Sequence, residues 1–409
     1  MNTQTRRPLG ARERFFWMLD QYRPLHFTMA ASVTGTQPVE NWHRALAAVQ
    51  QQHPLFSVAI QLNENKVPEF ITQVGCPIPL KVVKTTGETA WVSELEQDMV
   101  QRFDSTSAPL VRAALYEYEN QTVIALTAHH SISDGRSLTY ALRDLLNALN
   151  GKYAQPYDMP PAMDLYTDLP ENALNEISIP DEIVADFKHQ PPAARAKPQI
   201  HLMELSKELS AQVINRSKQE RATVHGALCA ALELASRSWK PNPIRIYSPS
   251  SVRQALGMSD TSCVSIAART ISLDKNASRS FWETARFVKE TLTGANSVEE
   301  ASRIINIMFN LVKNHAIDTV PTSEYMMSNI GVLPFNTDYG PLQLDAVWGP
   351  FILTGYEGCQ SLGVATINGS IRIALTSAGN IQVKPVLEFV EQILSMECAP
   401  VSNLPHIQI

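Results

Sequence analysis

The chain has 409 residues, 44% of them apolar and 18% charged, and carries a net charge of −6. This is the composition of a globular protein long enough for two cores. It gives no reason to propose nucleic acid as a partner, and no apolar run approaches the length of a bilayer span. At the N-terminus, Met1–Arg7 leads only into the short apolar run Phe15–Leu19, which Asp20 ends, so no secretory leader is expected. Residues 1–150 then alternate helical and strand patterns, as an α/β domain does. Gln121–Thr127 reads as a buried strand, a short run rich in β-branched and apolar residues. After Gly135, Leu138, Leu142, Leu145 and Leu149 recur at helical spacing, and Asn150-Gly151 supplies a stop. Residues 151–200 are acidic and punctuated by prolines, which predicts a linker or a crossover wrapped on the surface. A second helical pattern begins near Leu205. Val224–Ala235 is its most apolar segment, and its small residues predict close helix–sheet packing. Ile244–Pro249 reads as a strand. Near the C-terminus, Asn368-Gly369 is a hairpin turn joining Gly363–Ile367 to Ile371–Thr376.

The most informative segment is His129-His130-Ser131-Ile132-Ser133-Asp134-Gly135, at the turn between the buried strand and the Leu138 helix. Neighbouring residues on a strand point to opposite faces, so one histidine can face a cavity while the other faces packing. That placement is poor for chelating one metal ion, and no metal is expected. An imidazole in a cavity can take a proton from a hydroxyl or amine as it attacks a carbonyl carbon. It needs a second group to pin its other ring nitrogen. Asp134 can fix the turn by accepting backbone N–H bonds or by pairing with an arginine. Gly135 permits an unusual backbone conformation or close approach to a ligand. His26, His43, His53 and His225 read as packing or surface residues. The five cysteines (Cys76, Cys229, Cys263, Cys359 and Cys398) form no CxxC pair, which predicts reduced thiols in a cytoplasmic protein.

His-His-x-x-x-Asp-Gly resembles the signature of the chloramphenicol-acetyltransferase-like superfamily, which includes peptide-synthetase condensation domains and plant BAHD acyltransferases. Further segments are similar to it. Trp42–Leu46 with Gln52–Phe56 resembles the helix ending in "RHPLLR" of condensation-type proteins. Phe103-Asp104 with Pro109–Ala113 resembles the strand entry that precedes their histidine motif. Leu9–Trp17 is similar to the opening helix of stand-alone alcohol acyltransferases of the phthiocerol dimycocerosyl transferase type. The Asp-Phe-Gly-Trp-Gly box of the plant enzymes is absent, with only Ala346–Pro350 as a distant echo.

The resemblance implies an α/β (α+β) fold of two chloramphenicol-acetyltransferase-like subdomains in a V-shaped pseudodimer with a tunnel between them. The expected divisions are 1–150, carrying the histidine motif, a crossover over 151–200, and 201–409, with a tunnel-covering latch near 353–362. It implies His130 as general base, with His129, Asp134, Gly135 and Arg253 shaping the turn. Arg253 pairs with Asp134 in a buried bidentate bridge on this reading, or otherwise sits at the surface after a turn. Ser328-Asn329-Ile330-Gly331 resembles an alcohol-acyltransferase segment. Asn329, or Ser328, is there an oxyanion donor, or else the segment is simply a turn closed by Asn and Gly. The expected activity is acyl transfer from acyl-coenzyme A or an acyl carrier protein to a hydroxyl acceptor, in secondary metabolite or lipid assembly. No cofactor is permanently bound; the phosphopantetheine-linked donor is a substrate. Amide formation by a free-standing condensation enzyme, and a noncatalytic carrier-protein-binding module, are the alternatives.

Overall fold

The apolar patterns resolve into two six-stranded sheets and a three-stranded one in the computed structural model, which describes residues 5–170, 173–181, 183, 198–317, 323–354, 358–378 and 384–399. The first half holds β1 (Arg6–Pro8), α1 (Ala11–Tyr22), β2 (His26–Thr34), α2 (Val39–Gln52), β3 (Val58–Leu62), β4 (Pro68–Thr72), β5 (Leu80–Lys84), α3 (Trp91–Asp98), β6 (Val111–Tyr118), β7 (Gln121–His129) and α4 (Gly135–Leu149). The second holds β8 (Pro198–Glu204), α5 (Lys207–Gln219), α6 (Val224–Ser236), β9 (Ile244–Ser251), β10 (Ile266–Leu273), α7 (Phe281–Thr291), α8 (Val298–Lys313), β11 (Tyr325–Val332), β12 (Asp338–Tyr339), β13 (Leu342–Ile352), β14 (Gln360–Ile367), β15 (Ser370–Ala378) and α9 (Lys384–Glu397). No described helix is long and apolar enough to cross a membrane.

β7 lies inside the first six-stranded sheet, ordered β12-β13-β2-β7-β6-β5, and is antiparallel to both its neighbours. Its near-continuous apolar sequence follows from burial on both faces. Ile124, Leu126 and Ala128 enter the main core, while Val123 and Ala125 enter a second cluster on the opposite face. α4 lays Leu138, Leu142 and Leu145 into the main core and ends at Asn150, followed by Gly151 at φ 71°. The second sheet runs β10-β9-β11-β14-β15-β8 and has its own core with α5, α6, α7 and α9. Asn368 and Gly369, at φ 54° and 80°, make the β14–β15 hairpin turn. The small residues of α6 serve a close approach to another helix. A Cβ on Gly226 would lie 2.4 Å from the Ala285 carbonyl oxygen of α7.

The sheets do not divide in chain order. β12 and β13 come from the second half, yet they complete the first sheet, with β13 antiparallel to β2. α8 likewise packs beside α1, burying Ala301, Ile304, Ile305, Met308 and Val312, at helical spacing, in the first half's core. The described part of the proline-rich stretch is more than a surface strap. Met163, Leu174 and Ile179 are in the same core, Asp164 accepts N–H bonds from Ala11 at 2.9 and 3.1 Å, and Arg14 donates to the carbonyls of Leu174 and Ile177. Residues 171–172, 182 and 184–197 of that stretch lie outside the described residues.

The segment expected to act as a latch connects β13 in one sheet to β14 in the other; its residues 355–357 lie outside the described residues. β13 and β14 cross in backbone contact. A Cβ on Gly363 would sit 2.4 Å from Gly349 C and Pro350 O. Gly363→Ala is therefore expected to destabilise the protein by about 1–3 kcal/mol through overpacking. Urea unfolding checks this, and a wild-type midpoint would contradict so close a crossing.

Candidate active site

The strand ends at the histidine motif. β7 stops at His129, and the His130 N–H donates to the Leu25 carbonyl at 2.9 Å, so the chain leaves the sheet with the two imidazoles on different sides. His129 is fully buried. Its Nδ1 accepts the Ser131 N–H at 3.2 Å and lies 2.7 Å from the Ser131 hydroxyl, so the ring proton resides on Nε2, 3.5 Å from Asp20 Oδ2. Burial would raise the Asp20 carboxyl; the histidine and the Leu25 N–H outweigh it and hold Asp20 below the ordinary carboxylate value. His129 thus links the end of β7 to Asp20 of α1.

His130 has the opposite tautomer. Its Nδ1 lies 3.0 Å from the Ser133 carbonyl oxygen, which can only accept, so Nδ1 carries the proton and Nε2 keeps its lone pair. Phe16 stacks on the ring at a centroid distance of 4.2 Å, and Phe27 flanks it at 4.8 Å. Burial, and then the Arg12 guanidinium, push the imidazole down to about 4. It is neutral at physiological pH.

Asp134 holds the turn that supplies the Ser133 carbonyl. It caps α4 by accepting from the Ser137 N–H at 2.8 Å and lies 2.8 Å from the Ser137 hydroxyl. Its other oxygen accepts from the Ser265 N–H and hydroxyl at 2.8 and 2.9 Å. Burial alone would raise its carboxyl, but Arg253 and these donors leave it below the ordinary value. Arg253 does come to Asp134, but the expected bidentate pair is not what forms. Their closest approach is 3.9 Å, because the Ser137 hydroxyl stands between them, 2.5 Å from Arg253 Nη2. Arg253 Nη1 donates to the Ser259 and Thr261 carbonyls. Arg253 thus supports the turn through a serine and a loop.

His130 opens into an apolar cavity of about 140 Å³, walled by Phe16, Phe27, Met326, Pro350 and Ile352 among others. Gly135 also lines it. Its backbone is ordinary; what its missing side chain permits is close approach, since a Cβ there would lie 2.9 Å from Ile330 Cδ1. On β11, Met326 and Ser328 face this cavity while Tyr325 and Met327 face the second core, the alternation of a strand. A bulge after Asn329 breaks that alternation. The Asn329 carboxamide oxygen accepts the Gly331 N–H at 2.9 Å, and its side chain faces a larger cavity of about 900 Å³, with Arg136, His225 and Lys289. Ser328 lines both cavities; Asn329 lines only the larger. Of the two oxyanion candidates, Ser328 is the one that shares a cavity with His130.

The four other histidines singled out from the sequence are partnered or exposed. His26 lies 2.8 Å from the Met99 carbonyl, and His53 sits between Asp144 at 3.3 Å and the Ser262 N–H at 3.0 Å. His225 Nε2 lies 3.0 Å from the Ser248 hydroxyl, and His43 is exposed. Asp20, Arg12, Tyr247 and the loop 259–265 are additions that sequence reading missed. The loop's run of small polar residues was its only signal: Ser262 also donates to the Ile132 carbonyl, and Ser265 meets Asp134.

Residues 10–171 match the Condensation domain family. Cyclosporin synthetase simA of Tolypocladium inflatum is 27% identical over 150 residues, covering 35% of this chain and 1% of that protein. The chain thus spans only a small fraction of such relatives. Among solved structures, the first condensation domain of the CDA synthetase aligns at a TM-score of 0.71 and 14% identity, over 98% of both chains. The TRI3 trichothecene 15-O-acetyltransferase of Fusarium sporotrichioides aligns at 0.69 and 12% identity, over 97% of this chain and 95% of its own. At these identities the likeness establishes fold: the chain has the two-lobed fold of condensation domains, as the resemblance to the chloramphenicol-acetyltransferase-like superfamily implied.

Asp134→Ala strands the Arg253 charge and the Ser265 donors, so a loss of about 3–5 kcal/mol is expected in denaturant unfolding at neutral pH. Because the folded carboxyl is held low, this contribution is complete above the ordinary carboxylate range and is lost as pH falls through the depressed value. A variant as stable as wild type at pH 7 would contradict the role given to Asp134.

Proposed function

We propose that this chain of condensation-domain fold is an acyltransferase, moving an acyl group from a thioester to a hydroxyl acceptor with His130 as general base. One observation carries the reading: the His130 ring meets the Ser133 carbonyl through Nδ1 and lines an apolar cavity, which leaves Nε2 the unprotonated nitrogen. The acceptor oxygen attacks the thioester carbonyl carbon while its proton passes to Nε2. The tetrahedral intermediate then collapses, the C–S bond breaks, and the departing thiolate takes the proton back from Nε2. A base held down to about 4 returns that proton readily to a thiolate, whose ordinary pKa is about 8.5. The apolar walls support the reading by excluding water that would hydrolyse the thioester.

The two adjoining cavities share Pro249 and Ser328, which supports a route from the polar space to the base. On this reading the phosphopantetheine arm of coenzyme A or of an acyl carrier protein enters through the larger cavity. The acceptor meets it at His130. His129, Asp134, Gly135 and Arg253 shape the site, and Asn329 acts on the larger cavity's side. Amide formation is the second reading. It uses the same base with an amine acceptor and is favoured by likeness to peptide-synthetase proteins such as cyclosporin synthetase.

Thiol release from acyl-coenzyme A and acyl-carrier-protein donors, with pooled alcohols and amines, tests the class. Acceptor-dependent release and a matching ester mass are expected from wild type and absent from folded His130→Ala. Release unchanged in the variant would sink the assignment, and an amide mass would select the second reading. Since the base works unprotonated, kcat/KM is expected to rise with pH through a midpoint near about 4 and to stay flat across neutrality. An acid limb centred near 6.5, the ordinary histidine value, would contradict the burial of the ring and the nearby Arg12 charge.

A further inference from the structure

α1 turns one face toward the His130 cavity. Phe15, Phe16 and Leu19 line it, and Arg12, at i−3 and i−4 from the two phenylalanines, continues that face one turn back. Arg12 is only 2% exposed. No carboxylate lies within ion-pair distance of it among the described residues, and its Nε and Nη1 have no hydrogen-bond partner. Its guanidinium stands over the Phe16 ring at 5.0 Å, the ring that stacks on His130. Among the described residues its one polar contact is a long one, 3.5 Å from Nη2 to the hydroxyl of Tyr247. A buried cation with no counter-charge is costly, and it favours negative charge nearby.

Tyr247 belongs to the other half of the chain, on β9, and lines the same cavity as His130. A guanidinium can only donate, so at this contact the phenol oxygen accepts and its hydrogen turns away from Arg12. No acceptor for that hydrogen is found among the described residues. Base and phenol therefore share one apolar space from opposite halves of the fold.

Resting on the acyl-transfer reading above, we infer that Tyr247 donates a hydrogen bond to the oxygen that becomes negative when the thioester carbonyl is attacked, and that Arg12 is a positioning residue acting through it. The tyrosine keeps its proton throughout. The acceptor's proton goes to His130 Nε2, and the carbonyl electron pair moves onto the oxygen facing the phenol and returns as the thiolate leaves. The guanidinium fixes the direction of the O–H bond and places positive charge behind it, where a low dielectric strengthens its effect.

The experiment measures kcat and KM of the wild type and of Tyr247→Phe, Arg12→Met, Arg12→Lys and the Tyr247→Phe/Arg12→Met pair, with circular dichroism and melting to confirm folding. Tyr247→Phe keeps the ring and is expected to lower kcat by roughly a hundredfold, the usual cost of one oxyanion donor, with KM nearly unchanged. Arg12→Met is expected to lower kcat in the same direction and to add little in the pair, while Arg12→Lys recovers part of the loss. A folded Tyr247→Phe protein with wild-type kcat overturns the donor role. Full additivity in the pair overturns the action of Arg12 through Tyr247. A wild type with no His130-dependent transfer overturns the underlying reading first, so the two failures are distinguishable.

Discussion

Everything at this site depends on one hydrogen bond, from His130 Nδ1–H to the Ser133 carbonyl three residues on. It decides which ring nitrogen holds the proton, and so which nitrogen keeps its lone pair. Its neighbour shows that the choice is local. His129, one residue earlier, is fixed in the opposite tautomer because a backbone N–H rather than a carbonyl meets its Nδ1. Two adjacent imidazoles thus have different surroundings: one lies against Asp20 and the other lines an apolar cavity.

That bond exists only while the turn keeps its shape, and the turn is held from the far half of the chain. Asp134 spends one oxygen on the cap of its own helix and the other on Ser265, while Ser262 donates to the Ile132 carbonyl. β13 crossing into the first sheet adds Pro350 and Ile352 to the cavity wall, and Gly363 allows that crossing. The surroundings of His130 are therefore assembled by both halves. Burial has an electrostatic consequence as well: the ring is kept uncharged by the same aromatic packing that excludes water.

The pattern of the sequence revealed the local part of this. The buried strand, the turn, the helix that begins at Gly135 and the Asn368-Gly369 hairpin all follow from short-range periodicity and turn chemistry, and they lie where they were expected. The different orientation of the two histidines followed from strand geometry. What local pattern could not show is which distant groups converge. Arg253 was expected at Asp134 by resemblance, but the intervening Ser137 hydroxyl depends on a side chain's position in space. Asn329 and Ser328 could not be told apart, because which face of β11 meets the His130 cavity is set by its pairing with strands distant in sequence. Arg12 and Tyr247 lie 235 residues apart, and neither has a periodicity that points to the other.

The most direct measurement of the central claim is nitrogen NMR of the His130 ring in protein labelled at histidine, read across pH 4 to 8 against His130→Ala for assignment. A neutral ring protonated at Nδ1, with Nε2 free at every pH above about 5, is what this account predicts. A proton on Nε2, or a ring that becomes charged near 6.5, would contradict it, because the cavity would then face a nitrogen unable to accept.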